Sequence, residues 1–496
     1  MDDGSGEEQD KASGSDVPHT DQLDAKTTSE KDTRACDVEM VHRDENKGGD
    51  GESSSDDTGS SATAVRFAFL VSCVCQHWRN VALSTPSLWS TIVVTPKARP
   101  PYERVITMLE RGKGFPIDIS VRYEPDEGSD EDGSDEDEYP PCIDNNFAFL
   151  FAMLIPHIHR WRTMKVTVSD YRHMYAFLRT VSDPAVPAAS RLTTLELYDH
   201  GHTQDYDVLD DSGLWDHFTL FGGSAPLLTR IVLYHPDLLR PSWDEFTTIL
   251  RNAPSLQKLN VRGSGPAQDS PAWFIESSPP KDLNVPIQLV RVTDLVFAFM
   301  YSLRATWFIQ KFIFPALENM VLHFAGDEDY THVVQELARP AISSSPAQEL
   351  RSLLSGLENL KIAGLPCRTE CVQTLYGELQ NLVLLDISMS RLDPLFLDIL
   401  STPCTLPGRS GIWLPRLTTL YVSGTSGSAL REVVSKRKEV GVPLDSLYVE
   451  EDCDMHDEDV AWLKENVEMF EFFKERDDDK DLIGSGRGGA GLVTDT

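Results

Sequence analysis

The chain has 496 residues, enough for two or more domains or one extended repeat array, and a formal charge of −34. Residues 1–62 hold 18 acids and 6 bases, residues 124–138 hold 10 acids and no base, and residues 445–481 hold 16 acids and 4 bases. Nets of −12, −10 and −12 account for the whole charge. The rest is neutral and lacks a clustered basic face, which argues against nucleic acid as a partner.

Eight cysteines with no C-x-x-C pair are too sparse for a disulfide scaffold and read as reduced, small apolar residues. A polar N-terminus argues against a signal peptide. The most apolar stretch, near Asp294–Tyr301, is far shorter than the roughly 20 residues of a membrane span. A soluble protein of the cytoplasm or nucleus is expected.

In chain order, residues 1–64 form an acidic, Ser- and Gly-rich segment that cannot bury enough apolar area to offset its ordering entropy, so disorder is expected. From Phe69 to Ala82 the apolar residues fall at helical spacing; Val71, Val74, Trp78 and Val81 make one face, and Pro86 ends the run. Ile92, Val93 and Val94 read as a short buried strand. "FPIDISV" reads as a strand, and "FAFLFAMLIPHIHRWRTMKVTV" as a helix and a strand. Between them, the acidic insertion 124–138 predicts a solvated loop, whose Ser129 and Ser134 stand before acids in a context that acid-directed kinases favour.

From Ser190 to Val449 one pattern recurs, apolar-x-x-apolar-x-apolar, led by Leu192, Leu228, Leu256, Leu317, Leu357, Leu382, Leu417 and Leu444. The 61-residue gap after Leu256 predicts a weaker copy at Ile287, Val290 and Val292. The last two apolar positions alternate with polar ones, which is strand periodicity. The intervals contain helical stretches such as "SWDEFTTILRNAP", with Ser242 as candidate N-cap and Pro254 beyond its end. A strand plus a helix per unit is the leucine-rich-repeat plan; an ordinary α/β domain is the alternative. The expected fold is thus an α/β irregular leucine-rich-repeat solenoid: a curved parallel sheet with helices outside, after a short helical segment. Its parts are a disordered tail (1–64), a helical segment (65–95), the array (96–452), a C-terminal capping segment (453–476) and a flexible tail (477–496).

Chemistry-bearing motifs are weak. "GSGRGG" (484–489) fits G-x-G-x-x-G but lies in the tail, with no strand before it or helix after it. Walker A, H-E-x-x-H and G-x-S-x-G are absent. His200, His202, Asp205 and Asp207 form an H-x-H-x-x-D-x-D cluster that reads as a polar loop rather than a metal site. Lys436–Arg437–Lys438 is the one compact basic run. No nucleophile–base set emerges, so no enzyme and no cofactor are expected.

The segment "VSCVCQHWRNVALSTPSLWSTIVV" (71–94) resembles the second half of an F-box-like domain, in which V-C-x-x-W-R precedes S-T-P-x-L-W. Here these are Val74, Cys75, Trp78 and Arg79, then Ser84, Thr85, Pro86, Leu88 and Trp89. "FPIDISV", "HRWRTMKV", the degenerate repeats and "DVAWLKENVEMFEFF" extend the similarity to fungal-type F-box proteins over most of 65–475. The family's opening L-P-x-E-[IL] helix has no match here. The resemblance implies a substrate-recognition subunit of a Skp–cullin–F-box-type ubiquitin ligase. Val71, Val74, Cys75, Trp78, Leu88 and Trp89 would then face the Skp adaptor, and an unknown protein substrate would sit on the array. A stand-alone interaction scaffold is the other reading.

Strand alternation selects the surface that such a substrate would meet. If Leu195 and Leu197 face the core, Glu196 and Tyr198 face out, and the same register exposes Tyr234, Lys258, Asn260, Arg262, His323, Asn359, Lys361, Asp386, Tyr421 and Tyr448.

Overall fold

The computed structural model describes residues 67–96, 98, 100–123, 145–200, 220–234, 243–266, 286–324, 328–340, 351–388, 393–404, 406, 411–451 and 453–474. The tails 1–64 and 477–496, the insertion 124–138, "GSGRGG", Ser242, His202, Asp205 and Asp207 lie outside these residues.

The described residues begin with two helices, α1 (67–74) and α2 (Gln76–Ser84), and a 3-10 turn at Pro86–Trp89. Strands and helices then alternate: β1 (Thr91–Val94), α3 (Glu103–Arg111), β2 (Ile117–Tyr123), α4 (Asn145–Leu154), β3 (Trp161–Val168), α5 (Tyr171–Val181), β4 (Thr194–Asp199), β5 (Arg230–Tyr234), α6 (Trp243–Arg251) and β6 (Lys258–Arg262). There follow β7 (Ile287–Gln288), β8 (Asp294–Ala298), α7 (Ser302–Lys311), β9 (Phe312–Ile313), β10 (Asn319–His323), α8 (Thr331–Ala338), β11 (Asn359–Ile362), α9 (Thr369–Glu378) and β12 (Leu384–Ile387). The last elements are α10 (Leu395–Asp398), β13 (Thr419–Val422), α11 (Gly427–Val440), β14 (Ser446–Glu450), α12 (Asp457–Asn466) and β15 (Met469–Phe473).

Thirteen strands form one sheet in chain order, all pairings parallel; β7 and β9 form a separate two-stranded pair. Parallel neighbours need a crossover, and the helices supply it. Successive crossover helices pack on each other, α7 on α8, α8 on α9 and α11 on α12.

Register aligns the repeat. Leu195, Ile231, Leu259, Leu295, Met320, Leu360, Leu385, Leu420 and Leu447 make one row across the sheet, all buried. Leu197, Val261, Ile362 and Val422 share the same core cluster. The leading apolar residues from Leu192 to Leu417 each close a tight turn; for example Leu192 N–H donates to Ala189 O, Leu228 to Ala225 and Leu256 to Ala253. One carbonyl per unit then accepts two N–H groups from the next. Thr193 O takes Thr229 and Arg230, Thr229 O takes Gln257 and Lys258, and so on through Gln257, Thr293, Glu318, Glu358, Val383 and Thr418. The unit is therefore geometric as well as sequential.

Three expectations change. The helix expected from Phe69 to Ala82 is two helices, because Cys75 is extended (φ −160°, ψ 172°) between them. The copy hidden in the long gap is Val292, Leu295 and Phe297, aligned with Leu259 and Val261 through β6–β8 pairing. Ile287 instead pairs with Phe312 in the small sheet, and Val290 is exposed. The sheet also runs past the expected 96–452 array, taking in β1 at one end and β15 at the other.

Candidate protein-interaction surfaces

At the start of the sheet, Trp89 fixes the helical pair. It is fully buried, its indole Nε1–H donates to Ala82 O at 2.8 Å, the Phe69 ring meets it edge-on at 5.3 Å, and the Arg111 guanidinium lies 4.4 Å from its centroid. Arg104 covers Phe69 at 4.9 Å. Arg79 Nε–H donates to Ser72 O at 2.8 Å and ties α2 back to α1. One side of the pair is thus consumed by packing, and the other is apolar and open. Val74 is 68% exposed and Trp78 50%.

Of the six residues that the F-box resemblance implies as adaptor contacts, Val74, Cys75 and Trp78 are exposed, and Val71 and Leu88 are half-buried against the core. Trp89 is a correction: fully buried, it is a packing residue. Phe67, Leu70 and Leu83 extend the exposed apolar face and were missed, since α1 and α2 were read as one helix with one apolar stripe.

The outward face of the sheet divides into three parts. On β3 to β6 a cluster forms around two tyrosines. The Tyr198 and Tyr234 rings lie 5.9 Å apart, His200 contacts both at 6.2 and 5.4 Å, Lys165 Nζ sits 5.1 Å from the Tyr198 centroid, and the Arg262 guanidinium 5.7 Å from that of Tyr234. Glu196 pairs with Arg230 at 2.9 Å and accepts the Tyr198 hydroxyl at 3.3 Å. Burial, and then the Glu196 charge, push the Tyr198 phenol well above its usual range, so it stays a neutral donor.

In the centre the expected solvated face is absent. Val296, Ala298 and Val321 form a small buried cluster with Phe299 against it, and Arg262 is only 2% exposed. Arg262 is therefore corrected from an exposed contact to a buried residue. Asn260 lies in register between Val232 and Val296 and is half-buried; His323 packs on Phe299 at 4.3 Å. One row nearer the strand starts, a polar ladder runs from Lys258 to Asp294 (3.7 Å), Asn319 (3.2 Å) and Asn359 (2.7 Å).

Toward the C-terminal end, Lys361 faces Asp386 at 3.7 Å, and Tyr421 and Tyr448 stack at 4.3 Å and 8°, with Phe473 6.0 Å from Tyr421. The structure thus brings Glu196, Tyr198, Tyr234 and Arg262 together at one end and Tyr421 and Tyr448 at the other, without joining them.

Arg437, central to the basic run, is buried, which removes that run as a linear surface patch. Among the described residues no three His, Cys, Asp or Glu side chains converge to hold a metal ion, and no helix is long and apolar enough to cross a membrane. Across known proteins, no family model matches the chain and no curated protein matches it.

Proposed function

We propose that the chain is a substrate-recognition subunit of a Skp–cullin–F-box-type ubiquitin ligase, with α1 and α2 as a partial F-box-like element and the sheet as a curved leucine-rich-repeat array. It catalyses nothing itself and brings a target to a ligase. The observation that carries this reading is the exposed apolar face with Val74 and Trp78, held outward by buried Trp89. Large apolar residues left in water on a well-anchored helix pair suit docking to another protein. The recurring carbonyl geometry supports the repeat half, and the tyrosine clusters of the outward face suit target capture, since Tyr brings large contact area with a polar end.

The test is co-purification of the tagged full chain from its own cells. Skp adaptor and cullin should be recovered, and should be lost from a Val74→Glu, Trp78→Ala variant whose circular dichroism is unchanged. Wild-type chain that recovers other proteins but neither adaptor nor cullin would favour a stand-alone scaffold.

A further inference from the structure

The two ends of the sheet are finished differently. At the β1 end the core is closed: Ile92 and Val94 are buried, next to Trp89 and Ala82. At the other end β15 has one neighbour, β14, and among the described residues no strand pairs with its far edge. Its core row continues that of β14 residue for residue, Phe470 beside Leu447 and Phe472 beside Val449. Leu447 and Val449 are fully buried, yet Phe472 is 40% exposed and Phe470 half-exposed. The two rings meet edge-on at 5.2 Å and make an apolar strip that ends, among the described residues, at β15. On the opposite face, Glu471 is exposed and its carboxylate makes no hydrogen bond or ion pair among the described residues. Beside it stand Tyr448 in register and the Tyr421–Tyr448 stack; Glu468 and Glu465 are exposed nearby.

An edge strand presents unpaired N–H and C=O groups that template another strand. A second copy of this chain fits poorly. Full antiparallel overlap of β15 with itself centres on Glu471 and sets two carboxylates opposite one another, a one-residue slip moves the phenylalanines to the wrong face, and a two-residue slip restores the faces but pairs only three residues of each strand. The vacant position calls for the opposite charge.

We propose that β15 accepts an extended segment of a partner protein as a fourteenth strand, in which apolar residues lying beside Phe470 and Phe472 alternate with Lys or Arg opposite Glu471. Main-chain hydrogen bonds give the affinity, and the alternation gives the selectivity. This site lies at the far end of the sheet from α1 and α2 and does not depend on ligase membership.

The test uses the full chain and three fluorescent peptides: one alternating Val and Lys, one of the same composition with the lysines in a block, and one alternating Val and Glu. Anisotropy should show the alternating basic peptide binding at least about tenfold more tightly than either other, a difference of about 1.4 kcal/mol. Hydrogen exchange should slow at 469–473 on binding. Glu471→Lys, a change at an exposed position, should reverse the preference toward the Val–Glu peptide. Equal binding of alternating and blocked basic peptides would show only attraction to an acidic protein and overturn the proposal. Protection confined to other strands, or an unchanged preference in Glu471→Lys, would do the same. So would concentration-dependent self-association that slows exchange at 469–473 without peptide.

Discussion

Arg437 is a buried cation whose two terminal nitrogens are held by main-chain oxygen, while its Nε has no partner among the described residues. Its Nη1–H donates to Trp413 O at 3.0 Å, and Nη2–H to Leu414 O and Leu417 O at 3.0 Å each, closing the turn before β13 where Leu414 has φ 52°. Burial pulls its pKa down to about 10, which leaves it charged at neutral pH. Arg437→Met would leave three carbonyls without that donor, at a cost of about 3 kcal/mol read as a lower urea midpoint, and Arg437→Lys should recover only part, since an ammonium lacks the planar fork. Sequence reading saw a short basic run here, because charge order along the chain says nothing of which residue turns inward. Asp170 offers a pH test. Its carboxylate caps α5 by accepting Arg172 N–H at 2.8 Å and also takes Arg172 Nε–H at 2.8 Å. Burial alone would raise its pKa, but the hydrogen bonds and charge of Arg172 outweigh it and hold the group below its ordinary value. A carboxylate depressed on folding stabilises the fold above its unfolded pKa and loses that contribution as pH falls through the folded one. Asp170→Asn should therefore be less stable than wild type at pH 7, with the gap narrowing below about pH 4 in chemical denaturation.

Among the elements, the junction after β11 is the least tolerant. Gly364 has φ 113°, its carbonyl accepts Phe324 N–H at 3.0 Å, and a Cβ added there would lie 2.4 Å from Phe324 O. Gly364→Ala combines a disfavoured backbone with a backbone clash, so a loss above about 2 kcal/mol is expected, visible as a lower Tm. Nothing in the repeat pattern marks this glycine; the demand arises from the neighbouring strand's backbone. The strands themselves were legible, because leucine spacing and alternation are local. Helix α1–α2 was misjudged because apolar spacing continued across Cys75 while the backbone did not. The displaced copy at Val292 was obscured by Ile287 and Val290, which show the same residue types but serve another pair and the solvent.

For the whole molecule, units that contact mainly their sequence neighbours predict stability that falls from the middle toward the ends. Native-state hydrogen exchange should be slowest in β8 and β10, which have buried side chains on both faces, and faster in β15; equal protection from end to end would contradict this. The outward face was only half legible. Alternation placed Glu196, Tyr198, Tyr421 and Tyr448 correctly on one side of the sheet, but it cannot tell an outward residue from one that is also covered. The apolar types at Val296 and Val321 were the available sign, since strands buried on both faces lose their alternation. The in-order stack of strands is also a ruler. Thirteen strands leave twelve intervals of about 4.8 Å, so roughly 58 Å of sheet, measured along its path, separates the β1 end beside α1 and α2 from the far edge of β15. A molecule gripped at one end is out of reach of anything gripped at the other unless it is itself elongated, and inserting or deleting a repeat would change that reach in steps of one strand.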